Sequence, residues 1–311
     1  MKLLVSSAPH ITGKDTTASL MRDLIIAMVP AMIASTLFFG VQSLILTAVS
    51  TLACVAFEYL YEKMLKKPIT VGDLSAAVTG ILLAFNCPPT LPLWTVVVGA
   101  FFAIIIVKQL FGGLGYNFAN PAIVARIILG LGYTGLMTSW TFPATVSGDA
   151  VASATPLAVY AAGGTVNYLD MFVGSTGGVL GETSALALLL GFVYLVVRKV
   201  ISPTIPVTYV ATVAVLAVVL GVEPVVYVLG GGLLLGAIFM ATDYVTSPYT
   251  EKGKIIFGIG LGLITVIIRR FGSMTEGVSY AILLMNLVVP YINKATRQKP
   301  LGAPKAVKEA K

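Results

Sequence analysis

The chain has 311 residues, 57% hydrophobic and 11% charged, with a formal net charge of +7. Soluble domains carry about 25% charged residues, so charge this sparse, at a mean hydropathy of +0.95, excludes an ordinary water-soluble enzyme and makes lipid the main solvent. One histidine and two cysteines without CxxC spacing argue against a protein-only zinc or iron–sulfur site. The basic residues gather at segment ends and in the tail, as in cytoplasmic loops, so the charge does not point to nucleic acid.

In chain order, residues 1–19 read as a cytoplasmic N-terminal segment without the short apolar core and cleavage site of a signal peptide. A membrane helix needs about 20 mostly apolar residues, with about 17 as a practical minimum. The first half, residues 20–134, supplies five spans: Leu20–Phe38, Val41–Tyr61, Thr70–Asn86, Leu91–Gln109 and the short Asn120–Tyr133. Residues 135–182 form a long polar connection. The second half, residues 183–293, supplies Thr183–Lys199, Thr204–Gly221, Val225–Thr242, Lys254–Arg270 and Glu276–Asn293, and residues 294–311 are a basic tail. The fold class is therefore an all-α polytopic membrane protein of about ten transmembrane helices.

Lys63, Lys66 and Lys67 place the loop between spans two and three in the cytoplasm. With ten spans both termini are cytoplasmic too, and the connection at 135–182, which holds no Lys or Arg, faces outward. Arg269 and Arg270 break the rule, since they end span nine on the outer side. An acidic partner or anionic cofactor groups would account for them. Two groups of five spans have opposite orientation, which is the arithmetic of a 5+5 inverted repeat with sites at the repeat interface.

The outer connection contains Asp149-Ala150-Val151-Ala152-Ser153-Ala154-Thr155-Pro156-Leu157. Taken locally, Thr155 is an N-cap, Pro156 the first helical residue, and Leu157–Ala162 a short helix. For a Thr-Pro pair taken alone, capping is the commoner explanation.

The same segment resembles the flavinylation motif of the RnfD/NqrB family. Gly112–Ala122 (GGLGYNFANPA), Ala241–Pro248 (ATDYVTSP), Arg269–Asn286 and Ser6–Ile11 are also similar to that family, in the same order along nearly the whole chain. The first span starts near residue 20, which suits RnfD better than NqrB with its longer N-terminal extension. The resemblance implies FMN joined covalently by a phosphoester to Thr155, with Asp149, Ser153, Ala154 and Pro156 as motif neighbours. An FMN phosphate there would meet free N–H groups at a helix start. It further implies a flavin transferase and a place in the Rnf complex of a bacterial or archaeal cytoplasmic membrane. Partners would be the periplasmic flavoprotein RnfG, the membrane proteins RnfA and RnfE, and the peripheral proteins RnfB and RnfC. Electron flow between ferredoxin and NAD would be coupled to sodium or proton movement. A second, non-covalent flavin such as riboflavin is expected from the relatives.

Ionisable residues in spans default to functional hypotheses. Asp73, Asp243, Glu276 and Asn120 are candidates for an ion path or a second-flavin site. Glu58, Lys108 and Arg126 read as interfacial side chains that snorkel to the headgroups. Gly130–Gly135 fits GxGxxG but follows a membrane helix, so it carries no dinucleotide site. The rival function is an inverted-repeat solute channel or secondary transporter without flavin. A structural anchor for peripheral subunits is the third reading. The chain has no catalytic set of its own and acts only within a larger redox assembly.

Overall fold

A computed structural model describes residues 16–140, 154–272 and 277–298. All regular elements among them are helical. α1 (Thr17–Phe39) opens on a reciprocal cap: Ser19 N–H donates to Thr16 Oγ1 at 3.2 Å, and Thr16 N–H to Ser19 Oγ at 2.9 Å. Gly40, with φ 76°, ends it and lets α2 (Val41–Met64) turn back at once. α2 carries Lys63 in its last turn and is followed by Lys66 and Lys67, so this end of the bundle is called the basic end.

The third span does not run as one helix from Thr70. A 3-10 turn (Val71–Asp73) and Leu74 in the left-handed region, φ 65°, precede α3 (Ser75–Phe85). α4 (Leu93–Phe101) continues as a π-helical segment, Phe102–Gln109, back to the basic end. Asn120 caps α5 (Pro121–Gly132), with Pro121 at its first position, and α6 (Thr134–Met137) is a single turn. Within the described part of the long connection lie α7 (Pro156–Ala161) and α8 (Tyr168–Val173).

The second half holds α9 (Ala185–Val197), α10 (Thr204–Val219) and α11 (Pro224–Leu229). The eighth span is not continuous either. After α11 come Gly230, Gly231 and Gly232, then α12 (Leu233–Leu235) with a π-helical continuation Gly236–Met240. α13 (Glu251–Phe271) and α14 (Val278–Thr296) complete the bundle.

By length and composition α1, α2 and α14 are sufficient to cross a membrane, and α3, the α4 segment Leu93–Gln109, α5, α9 and α10 are shorter apolar helices. α13 has 21 residues and keeps its charges at its two ends. Ile33, Leu37, Leu52, Leu190, Val193 and Val215 stay exposed although these helices bury another side. Apolar surface on both the inside and the outside is what a lipid-bathed bundle needs. At the end opposite Lys63, Trp94 and Tyr133 meet edge to face at 5.3 Å, where an interfacial aromatic belt belongs.

Backbones approach closely because small residues line the contacts. On α13, a Cβ added to Gly258 would lie 1.9 Å from Thr208 Oγ1, and one added to Gly262 would lie 2.6 Å from Thr212 Cβ, both on α10. Between α2 and α3, the Ser50 hydroxyl donates to Gly80 O at 2.7 Å. The halves meet where α1 packs on α9 and α5 packs on α14.

Candidate functional site

Two regions hold the residues singled out by the sequence. At the far end, Thr155 adopts an extended backbone, φ −64° and ψ 152°, and its Oγ1 accepts from Ala158 N–H at 3.3 Å. Thr155 is therefore the N-cap of α7, as expected, and the cap uses a lone pair rather than the hydroxyl proton. Replacing that proton by a phosphoryl group leaves the cap acceptor in place, so the chemistry fits an ester. Access does not come freely: Thr155 is 2% exposed, Pro156 and Leu157 are buried, and only Ala154 is open. A flavin on Thr155 requires the start of α7 to lift away from its cover. Asp149 and Ser153 lie outside the described residues, as does Glu276.

α7 rests on α11. Leu157 Cδ1 is 3.4 Å from the point a Gly230 Cβ would occupy, and Tyr160 OH accepts from Glu223 N–H at 3.0 Å. A small space of ≈ 10 Å³ lies between Pro156, Glu182, Thr183 and Gly230.

At the basic end a cavity of ≈ 70 Å³ is lined by Ser75, Lys108, Asn117, Asn120, Thr242 and Asp243 among others. It brings Asn120 and Asp243 together. Asp73 stands one residue behind it: its Oδ1 accepts from Ser75 N–H at 2.7 Å and from the Ser75 hydroxyl at 2.5 Å. Leu74 between them has the left-handed backbone that bulky residues avoid, so this knuckle carries local strain of the kind held at working sites. Asp243 Oδ1 accepts from Val245 N–H at 3.2 Å and Oδ2 from Thr246 Oγ1 at 3.0 Å.

Three of the resemblance segments converge here; Ser6–Ile11 lies outside the described residues. Asn120 Oδ1 caps α5 at Ala122 N–H, 3.1 Å, while its Nδ2 donates to Met240 O at 3.4 Å. The Asn286 amide, turned so that its oxygen accepts from Asn120 N–H at 3.1 Å, donates through nitrogen to Thr246 O at 3.1 Å. NFANP, TDYVTSP and the last segment thus share one hydrogen-bonded node.

Three residues expected to snorkel do not. Glu58 is 0% exposed and Lys108 2%, and their Oε1 and Nζ atoms are 2.5 Å apart. Lys108 Nζ also donates to Ser75 Oγ at 2.6 Å, and Gln109 Nε2 donates to Glu58 Oε1 at 2.8 Å. Glu58 Oε2 makes no hydrogen bond among the described residues. The physical reason for the correction is the π-helical turn. It brings Lys108 and Gln109 against α2, where a charge without its partner would cost several kcal/mol. Arg126 is turned inward as well, donating through Nε to Asn86 O at 3.3 Å and through Nη1 to the Ser279 hydroxyl. A signal was present in the sequence: Glu58 and Glu62 lie one helical turn apart, and Lys108 and Gln109 are polar neighbours at the matching depth of span four. GxGxxG at Gly130–Gly135 falls across the end of α5 and the start of α6, with no strand among the described residues.

Known proteins give the same answer along the full length. The model of the NQR2, RnfD, RnfE family matches residues 4–302. The D subunit of the Na(+)-translocating ferredoxin:NAD(+) oxidoreductase complex of Acetobacterium woodii is 50% identical, covering 100% of this chain and 99% of that protein. The D subunit of the proton-translocating ferredoxin:NAD(+) oxidoreductase complex of Clostridium ljungdahlii is 39% identical over 96% of each chain. Its counterpart in the ion-translocating oxidoreductase complex of Methanosarcina acetivorans is 36% identical over 96% of each. With a match of this length, this chain belongs to the NQR2, RnfD, RnfE family.

Proposed function

We propose that this chain is the flavin-carrying D subunit of an ion-translocating ferredoxin:NAD oxidoreductase, relaying electrons between partner subunits while sodium ions or protons are moved. The names of its full-length relatives support the assembly. The observation that carries the flavin assignment is Thr155, a capping hydroxyl whose proton is not used by the cap, within DAVASATPL. FMN on that oxygen would supply one- and two-electron chemistry, while the protein supplies position and electrostatics. Asp149, Ser153, Ala154 and Pro156 are its motif neighbours, read by a flavin transferase. RnfG, RnfA, RnfE, RnfB and RnfC are the partners, in a cytoplasmic membrane with both termini inside.

Ten spans arranged as a 5+5 inverted repeat suit this reading. The pairing of α1 with α9 and of α5 with α14, first with sixth and fifth with tenth, supports the repeat. The basic-end cavity alone is too small for three fused rings. A cleft of ≈ 250 Å³ shares Ile201, Thr242 and Tyr244 with it. Opened into one, they are the place for a second, non-covalent flavin such as riboflavin. Asp73, Asn120 and Asp243, with Glu276, serve that flavin or an ion path.

The test is intact mass and in-gel flavin fluorescence of the denatured chain, made in its complex with the transferase present. We expect one FMN increment in the wild type. Thr155→Val should lose it while still inserting in the membrane and running as a non-fluorescent band. A wild-type chain of unmodified mass sinks the flavin reading and returns the solute channel or secondary transporter, which predicts no flavin and a polar pathway.

A further inference from the structure

Arg269 stood out as a positive charge at the wrong end of its span, and the structure gives it a use. It is 9% exposed. Its Nη1 donates to Tyr227 O at 2.5 Å, and its Nη2 to Gly230 O at 2.9 Å and Gly231 O at 3.0 Å. Its guanidinium carbon lies 5.8 Å from the centre of the Tyr227 ring. These carbonyls belong to the C-terminal end of α11 and the glycine break that follows. In the apolar part of a bundle such released carbonyls must find donors. A cation at a helix C-terminus is favoured by the dipole, and the rigid guanidinium fork reaches several acceptors at once, which a lysine ammonium does not.

The break is fitted to that fork. Gly231 has φ 66°, and a Cβ there would lie 2.4 Å from Arg269 Nη2. The other side of the break supports the modification helix. Leu157 of α7 and Met171 of α8 approach the Gly230 Cβ position to 3.4 and 3.3 Å. Tyr160, near the end of α7, is tied to the start of α11 through Glu223 N–H. α7 therefore rides on α11 at two points, and the broken end of α11 is held by Arg269.

We infer that Arg269 is a positioning residue: by clamping the broken end of α11 it sets the place of α7, and with it the place of the Thr155 hydroxyl. Its functional meaning rests on the proposed flavin attachment; its geometry does not. The order of contact is Arg269, then the carbonyls of Tyr227, Gly230 and Gly231, then Leu157, then Thr155.

The experiment uses the complete complex and a nitroxide on Ala154→Cys, next to Thr155. Ala154 is exposed, whereas Cys54 and Cys87 are buried. The spectrum is recorded with Arg269, Arg269→Lys, Arg269→Gln and, as a control on the exposed neighbour, Arg270→Gln. We expect the immobile component of the line to be lost in Arg269→Gln, partly restored in Arg269→Lys, and unchanged in Arg270→Gln. Without the spin label, covalent flavin per chain should fall in Arg269→Gln and recover in part in Arg269→Lys. A line shape in Arg269→Gln identical to the parent overturns the inference. If Arg269→Gln does not accumulate, Arg269→Lys decides, since it keeps the charge and loses the fork; an unchanged line there overturns the inference equally. A wild-type chain without flavin, whose label still responds to Arg269, defeats the attachment reading and leaves the clamp standing.

Discussion

The two ends of the bundle bury charge in opposite ways. At the basic end, side chains answer side chains: Lys108 meets Glu58, Ser75 meets Asp73, Gln109 meets Glu58, and a cavity is left between Asn120 and Asp243. At the far end, the described bonds run from side chain to backbone: Arg269 reaches the carbonyls of Tyr227, Gly230 and Gly231. An ion pair between side chains rearranges when a ligand or proton arrives, because each partner has other rotamers. A guanidinium bound to a helix end fixes the course of the chain. The basic end thus leaves room beside its polar groups, and the far end fixes the course of its chain.

The largest expected effects break the basic end. Lys108→Met should leave Glu58 buried without its counter-charge and cost about 3–5 kcal/mol, read as a lowered thermal midpoint of the purified protein. The double variant Lys108→Met with Glu58→Leu should recover much of that loss; equal losses in single and double variants would mean that the pair is not what holds this end together. At the far end, Gly231→Ala should cost about 1–2 kcal/mol for its left-handed backbone, with overpacking against Arg269 adding about 1–3 kcal/mol. Chemical denaturation of the reconstituted chain checks it, and a neutral outcome would show the fork to be loosely held.

Smaller effects sharpen the contrast. Thr155→Ala should lower stability by about 1 kcal/mol through loss of the cap, and Thr155→Ser should retain both cap and stability in the unflavinylated chain. Thermal melts of protein made without the transferase separate the cap from the cofactor. A loss of similar size, read in the same melts, is expected of Tyr209→Phe, in the α10–α13 contact between the two ends. Tyr209 OH lies 2.6 Å from Thr265 Oγ1, and losing one such bond costs about 1 kcal/mol.

Much of this was legible in the sequence for reasons that are local. Thr155-Pro156 prescribes a cap and a first helical residue, and the structure has both. Asn120-Pro121 does the same for α5. Long apolar runs marked out α1, α2 and α14. The departures have non-local causes. Span eight reads as one apolar run because Gly230–Gly232 do not lower hydropathy, yet three glycines and a distant arginine turn it into a break. Glu58, Lys108 and Arg126 read as interfacial because sequence shows distance to a span end, not which neighbour covers it. A π-helical turn shifts the register of Lys108 toward α2, and no hydropathy window registers that shift. Gly258 and Gly262 are spaced for close helix contact, but only the facing Thr208 and Thr212 reveal which helix they admit.

The Glu58–Lys108 pair also constrains how the protein is made. Glu58 leaves the ribosome well before Lys108, so the second helix reaches the bilayer with a carboxylate that has no counter-charge yet. A charged residue at the centre of an inserting helix costs about 2.5–3.5 kcal/mol on translocon scales, and Glu58, near the end of α2, escapes most of that cost while its carboxylate reaches the headgroups. Its burial against Lys108 comes only when the fourth helix packs on the second. Assembly of the first half is in that sense a cooperative event, in which the burial of one segment's carboxylate depends on a cation carried on another.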